Sequence, residues 1–170
     1  LYLDYDLDRI HSCKRKDIFE AQEKIFFRRV SANLLAAYDD QQFFALNTLV
    51  VMTLKQHDID LKYVLGVFNS KLMNFIYRKK FKSTKTVFSE IQARSVGMLP
   101  MKVNIIYEKR ISSIVSKILS MKKKEKDTFD LENQIDFLVY HLYGLTYDEV
   151  LIVDPDTPIS REEYEAYKGE

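Results

Sequence analysis

The feature that most constrains this fold is a long apolar helix, predicted over residues 60–81, that ends in a run of positive charge. Asp60 is placed to cap its first turn, because a carboxylate can accept from the free amides there. Small or adaptable groups on a second face would let another element approach closely. We therefore expect one helix with a packing neighbour on each of two faces. Apolar residues share the first face at three- and four-residue spacing: Leu61, Val64, Leu65, Phe68, Leu72, Phe75 and Ile76. The second face carries Gly66, Asn69, Ser70, Met73 and Tyr77.

The chain has the size and composition of one globular domain. It contains 170 residues, of which 46% are hydrophobic and 30% charged, enough to bury roughly two thirds of the unfolded surface. No apolar run approaches the ~20 residues that cross a bilayer, so we expect no membrane partner. The single cysteine, Cys13, excludes an internal disulfide, and no secretion signal is recognisable, which favours a cytoplasmic location. A polar start at Leu1 rather than at methionine suggests a fragment of a longer protein.

Charge is strongly separated along the chain although the net charge is only +1. Residues 71–126 hold 15 lysines and arginines against three acids, whereas residues 127–170 hold two against 12. A basic block of this size is typical of a nucleic-acid surface. A solvated helix face, or an intramolecular contact with the acidic tail, would give the same pattern.

The remaining elements predict an α+β fold. Residues 24–30, 33–40 and 43–54 have the composition of strands, and their short connections favour an antiparallel sheet. Residues 87–100 show no clear periodicity and are interpreted as a loop. Helical spacing returns over residues 103–124 and from Asp127 or Thr128 up to Gly144, which predicts a helical hairpin. Thr146 with Glu149, and Ser160 with Glu163, have the spacing of capping boxes for two short C-terminal helices.

We interpret this order as a small antiparallel sheet packed against a long central helix, followed by the hairpin and the short helices. An α+β recognition part is predicted over residues 1–100 and a helical part over residues 101–170, packed as one unit.

The best candidate for a DNA contact is the basic run at the end of the central helix. Lysine and arginine neutralise phosphates, and the hydroxyls of Ser83 and Thr84 can donate to phosphates or base edges. Two arginines inside the first strand must also leave the core or find a carboxylate, for which Asp39 or Asp40 is available. Gln41, Gln42 and Gln92 are lesser candidates. The predicted DNA-binding residues are Arg28, Arg29, Arg78, Lys79, Lys80, Lys82, Ser83, Thr84 and Lys85.

A search for catalytic motifs finds none. There is no glycine-rich phosphate loop, nucleophile elbow, cysteine pair or two-histidine helix. Asp156, Glu163 and Glu165 faintly resemble a nuclease cluster, but capped acidic helices explain them better. The N-terminal aspartates lack the glycine and glutamate of a calcium loop, so no metal site is predicted.

Five segments in order resemble the TaqI-like C-terminal specificity domain of adenine-specific DNA methyltransferases and type IIG restriction-modification enzymes. They are KIFFRRVSANLLAAYDD, FFALNTLVVM, LKYVLGVFNSKLMNFIYRKKF, MLPM and IDFLVYHLYGLTYDEV. The resemblance implies sequence-specific recognition of double-stranded DNA. It also implies an upstream domain of the same polypeptide that methylates adenine with S-adenosylmethionine, and a Mg²⁺ requirement where a nuclease is present. The methyltransferase motif itself is absent here, so we expect no catalysis and no cofactor in this chain.

The residues alone are also compatible with a different class of function, which is binding to another protein. The basic segment and the second face of the central helix would then form a protein-protein interaction module.

Overall fold

The computed structural model describes residues 6–9, 14–55, 59–81 and 89–169. Four of the five strands lie before the first long helix and most helices follow them, so the fold is α+β as predicted. The strands are β1 (Lys24–Arg28), β2 (Val30–Ser31), β3 (Ala36–Asp39), β4 (Leu49–Met52) and β5 (Ser89–Glu90). The helices are α1 (Lys16–Phe19), α2 (Leu61–Asn69), α3 (Lys71–Phe81), α4 (Ala93–Gly97), α5 (Ile105–Lys122), α6 (Phe129–Tyr143), α7 (Tyr147–Val153) and α8 (Arg161–Ala166).

The main sheet has three strands in the order β3-β1-β4, with antiparallel pairing on both sides of β1. Since β3 and β4 both run antiparallel to β1, they run in the same direction, and residues 40–48 must cross β1 to connect them. Alternate side chains of β1 face α2, where the rings of Phe27 and Phe68 meet edge to face at 5.3 Å between centroids. A second, two-stranded sheet pairs β2 with β5.

A buried ion pair organises the other face of the sheet. Lys24 Nζ lies 2.6 Å from Asp39 Oδ2, and both side chains are almost fully buried. Lys24 also donates to the Phe19 carbonyl at 2.7 Å, while Asp39 accepts from the backbone amides of Gln41 and Phe43. The pair therefore holds two segments against the sheet: the start of the connection from β3 to β4, through Asp39, and the end of α1, through Lys24. Asp39 is thus the partner of Lys24, not of an arginine.

The predicted central helix is two helices, which corrects the single helix expected over residues 60–81. Asp60 caps α2 as predicted, accepting from the Lys62 amide at 2.7 Å. Ser70 then adopts an extended conformation, and the chain restarts as α3. The first amide of α3, that of Lys71, donates to Asp136 Oδ1 of α6 at 2.8 Å. A carboxylate from a distant helix thus supports the break.

The second face packs against α5, as its small residues predict. A Cβ atom on Gly66 would lie only 2.6 Å from Cγ2 of Ile111 and 3.0 Å from Cγ2 of Val115. Ser70, Met73 and Tyr77, from the same predicted face, are also buried. At Gly66 this face is therefore covered by α5, whereas Asn69 is exposed, and the interaction-module alternative stays a prediction.

The C-terminal helices begin and end where the local sequence predicts. Gly144 has φ +73° after α6, and Thr146 forms a complete capping box with Glu149 at the start of α7. The Ser160 hydroxyl accepts from the Glu163 amide at 3.1 Å before α8. Residues 87–100 do not form only a loop, since β5 and α4 lie within them. Among the described helices, none is long and apolar enough to cross a membrane.

Candidate nucleic-acid interface

The two arginines of the first strand segment have different environments. Arg28 is exposed at the end of β1, and its guanidinium makes no hydrogen bond or ion pair within the described residues. Arg29 pairs with Glu90 of β5 and donates from Nη1 to the Asn47 carbonyl at 3.0 Å. The structural ion pair considered for these arginines therefore exists, but with Glu90 and not with Asp39 or Asp40. Arg28 is the one left available for a ligand.

Three consecutive cations occupy the last turn of α3, and all three are exposed. Arg78 makes no ion pair within the described part of the chain. The Nζ atom of Lys79 lies 5.5 Å from the centroid of the Phe75 ring, and that of Lys80 lies 5.4 Å from the centroid of the Phe81 ring. Positive charge also suits the carbonyl end of a helix dipole, which lowers the cost of grouping these residues. Their charges are not neutralised by carboxylates of the described residues.

The second sheet places Glu90 beside the first strand segment. The described structure resumes after α3 in β5, which pairs with β2 directly after Arg29. The Ile91 amide donates to the Arg29 carbonyl at 2.6 Å and fixes this return. The predicted contacts Lys82, Ser83, Thr84 and Lys85 lie outside the described residues.

Two carboxamides fasten β3 and the residues just before it to the helix pair. Asn69 donates to the Ala36 carbonyl and accepts from its amide, both at 2.9 Å. Asn74 accepts from the Leu34 amide at 2.8 Å and donates to its carbonyl at 3.3 Å. We call these four hydrogen bonds the carboxamide clamp. The only sequence signal for it is the presence of asparagine, a weak helix former, inside two apolar helices.

A cleft of about 860 Å³ lies between the clamped strand, the start of α3 and helices α5 and α6. Lys71 pairs in it with Asp154 at 2.8 Å, and Lys122 with Glu132 at 2.9 Å. These pairs join the basic middle of the chain to its acidic end. Arg78 lines the same cleft without a carboxylate partner among the described residues.

Asp136 is the buried acid of this cleft. Burial raises its pKa to about 7, and the charges of Asp154 and Glu132 act in the same direction, whereas the amide and the ammonium group of Lys71 oppose the shift. Since its Oδ1 holds the first amide of α3, Asp136 sets where that helix begins. It thereby influences how the basic last turn is presented.

The acids considered for a nuclease remain at the surface. Asp156, Glu163 and Glu165 are exposed, and Glu165 pairs with Arg161 at 3.0 Å. No three acids, histidines or cysteines within the described ranges come together as a metal site. His141 packs beside the core, stacked on Tyr164 at 4.0 Å between ring centroids, and burial lowers its pKa.

Comparison with known proteins identifies the family. The family model described as the TaqI-like C-terminal specificity domain matches residues 1–101. The chain belongs to this family.

A relative comes from Methanocaldococcus jannaschii and carries the name "Putative type II restriction enzyme and methyltransferase". It is 31% identical over 151 residues, which is 84% of this chain. The chain spans 13% of the length of that relative.

Proposed function

We propose that this chain recognises a target sequence in double-stranded DNA as the specificity domain of a restriction-modification enzyme. Its family and the M. jannaschii relative support the proposal. The observation that carries it is the group of exposed cations, Arg28, Arg78, Lys79 and Lys80, that the acidic end of the chain leaves unneutralised within the described structure. Basic side chains of this kind fix a protein on the phosphate backbone, while a few polar groups read base edges.

The full polypeptide would then carry catalysis and DNA recognition on separate domains. An upstream domain would bind S-adenosylmethionine and methylate adenine at N6, and this chain would hold the duplex from the other side. A duplex held from two sides lets a target base be rotated out of the stack toward the catalytic domain. Arg29, Lys82, Ser83, Thr84 and Lys85 remain predicted contacts of this surface, with Arg29 already committed to Glu90.

The test is the salt dependence of binding to a random-sequence duplex, measured by fluorescence anisotropy at about 50 and 200 mM salt. Reversal of Arg78, Lys79 and Lys80 to glutamate should weaken binding at both concentrations. It should also flatten the dependence of log K on log salt by about one unit for each phosphate contact that the reversal removes.

The matched control reverses three exposed lysines of α5 and the turn after it to glutamate: Lys109, Lys117 and Lys124. This variant changes the net charge equally, so it should bind more tightly than the α3 variant. Equal losses of affinity in both variants, or an unchanged salt slope in the α3 variant, would contradict the placement of the interface at α3.

A further inference from the structure

Asn33 is held in place from both sides although its own side chain is exposed. On one side its backbone amide donates to the Ser31 hydroxyl at 3.3 Å, and Ser31 belongs to β2, which pairs with β5. On the other side lies Leu34, fully buried and bound by Asn74 through both its amide and its carbonyl. The Cα of Asn33 thus sits between two hydrogen-bonded anchors.

The side chain of Asn33 makes no hydrogen bond within the described residues, and the residue is exposed. Two other amides considered from the sequence are already engaged. Gln41 donates to the Asp40 carboxylate at 2.9 Å, and Gln42 donates to the Glu20 carbonyl at 2.7 Å. Asn33 therefore offers an amide donor and an acceptor to a ligand without first breaking an internal bond.

A cation lies on the same cleft. Arg78 and Asn33 both line it, and Arg78 follows Asn74 by one helical turn on α3. Of the three acids that line the cleft, Asp154 and Glu132 are paired with Lys71 and Lys122, and Asp136 is buried against the Lys71 amide. The Asn33 amide consequently shares the cleft with a positive charge suited to phosphate, with these two carboxylates neutralised.

We infer that Asn33 is a base-reading residue of the DNA interface and that its partner is an adenine in the major groove. An asparagine amide matches adenine, since it can accept from N6 and donate to N7 at the same time. A reader fixed by its backbone loses little freedom on binding. This inference rests on the proposed function and names one element of its specificity.

The experiment selects bound duplexes from a randomised pool with the full-length polypeptide that carries this chain. Asn33→Ala should lose the preference for one A·T pair of the selected sequence, by about 5- to 150-fold, the usual range for one bidentate contact. Asn33→Asp keeps the size of the side chain but removes its donor. It should shift the preference at that position toward C·G, because a carboxylate accepts from cytosine N4.

Gln134→Ala is the matched control, because Gln134 is an exposed amide on α6 that lines a different groove. It should leave the selected sequence unchanged. Binding of Asn33→Ala to random duplex should equal that of the wild type, and both Asn33 variants should keep its thermal stability; Asn33→Asp should bind random duplex somewhat more weakly because of its added negative charge.

Three results would contradict the inference or the proposal on which it rests. An unchanged preference in both Asn33 variants, with a wild type that does select a sequence, would exclude Asn33 as a reader. A wild type that binds DNA but selects no sequence, or one that binds no duplex at low salt, would instead contradict the proposed function itself.

Discussion

Asp136 is the residue whose chemistry depends most on its surroundings. Its carboxylate holds the first amide of α3, yet burial raises its pKa to about 7, far above that of an exposed aspartate. A folded-state pKa above the unfolded value means that the folded protein binds the proton more tightly. The stabilisation from this group is therefore fully present below about pH 4 and is lost as pH rises through 7.

Replacement of Asp136 by asparagine should remove this dependence. The asparagine would keep an oxygen acceptor for the Lys71 amide but could not ionise, so the Asp136→Asn variant should be more stable than the wild type at pH 8. The difference in the free energy of unfolding should be on the order of a few kcal/mol at pH 8 and should shrink toward pH 5. Urea denaturation at several pH values measures it.

Asp130→Asn, on the exposed first turn of α6, is the control and should lack this trend. The comparison with the wild type also cancels His141, whose lowered pKa makes stability fall as pH decreases. A constant difference between Asp136→Asn and wild type across pH 5–8 would contradict the assignment.

Residue-level predictions from the sequence are confirmed where the interaction is local. Asp60, Thr146 and Ser160 cap helices, and Gly144 adopts the left-handed conformation, because each depends on neighbours within a few residues. The predicted partner of Arg29 is wrong, since Glu90 lies 61 residues away and no local pattern indicates it. The proposed base contact of Asn33 is of the same kind, because it would depend on the folded surface and on the DNA it meets.

At the scale of elements, the helix pair α2 and α3 shows what periodicity can and cannot predict. The apolar stripe correctly indicates burial from Leu61 to Leu72, although Phe75 and Ile76 are only half-buried, and Gly66 correctly indicates a close neighbour on the other face. The break at Ser70 has no signal in the periodicity because it depends on Asp136, a contact between distant parts of the chain. The strands are shorter than predicted, since only residues 36–39 and 49–52 of the two later segments pair with β1.

The close approach of α5 to α2 allows a prediction for Gly66→Ala. Whether this variant is more or less stable than the wild type shows whether helix propensity or packing has the larger effect. Helix propensity alone predicts that Gly66→Ala stabilises the protein by about 1 kcal/mol. The added Cβ would instead meet Ile111 at 2.6 Å. We therefore expect destabilisation by about 1–3 kcal/mol, measured by urea denaturation.

Gly97→Ala is the control for this measurement, because a Cβ there meets nothing within 4 Å. It should be neutral or slightly stabilising. A stabilised Gly66→Ala variant would mean that α5 can move away at little cost.

At the scale of the whole molecule, one core joins the two parts of the chain that the sequence predicts, residues 1–100 and 101–170. Buried apolar residues from β1, α2, α5, α6 and α8 form one contiguous cluster, which includes Ile25, Val67, Ile111, Val139 and Tyr164. We therefore predict one cooperative unfolding transition for the described chain. Far-UV circular dichroism, which follows the helices, and tyrosine fluorescence should give the same urea midpoint. Two separate midpoints would show that residues 1–100 and 101–170 unfold independently.

The carboxamide clamp also has a consequence for how the protein behaves in a crowded solution. A strand at the border of a sheet usually presents a row of open amides and carbonyls, onto which a strand of another molecule can add. Asn74 bonds the amide and carbonyl of Leu34, and Asn69 bonds those of Ala36, two residues further along. Each carboxamide thus takes the place that a neighbouring strand would take. Two uncharged side chains thus cover this border at Leu34 and Ala36, where a strand of another molecule cannot add without displacing them.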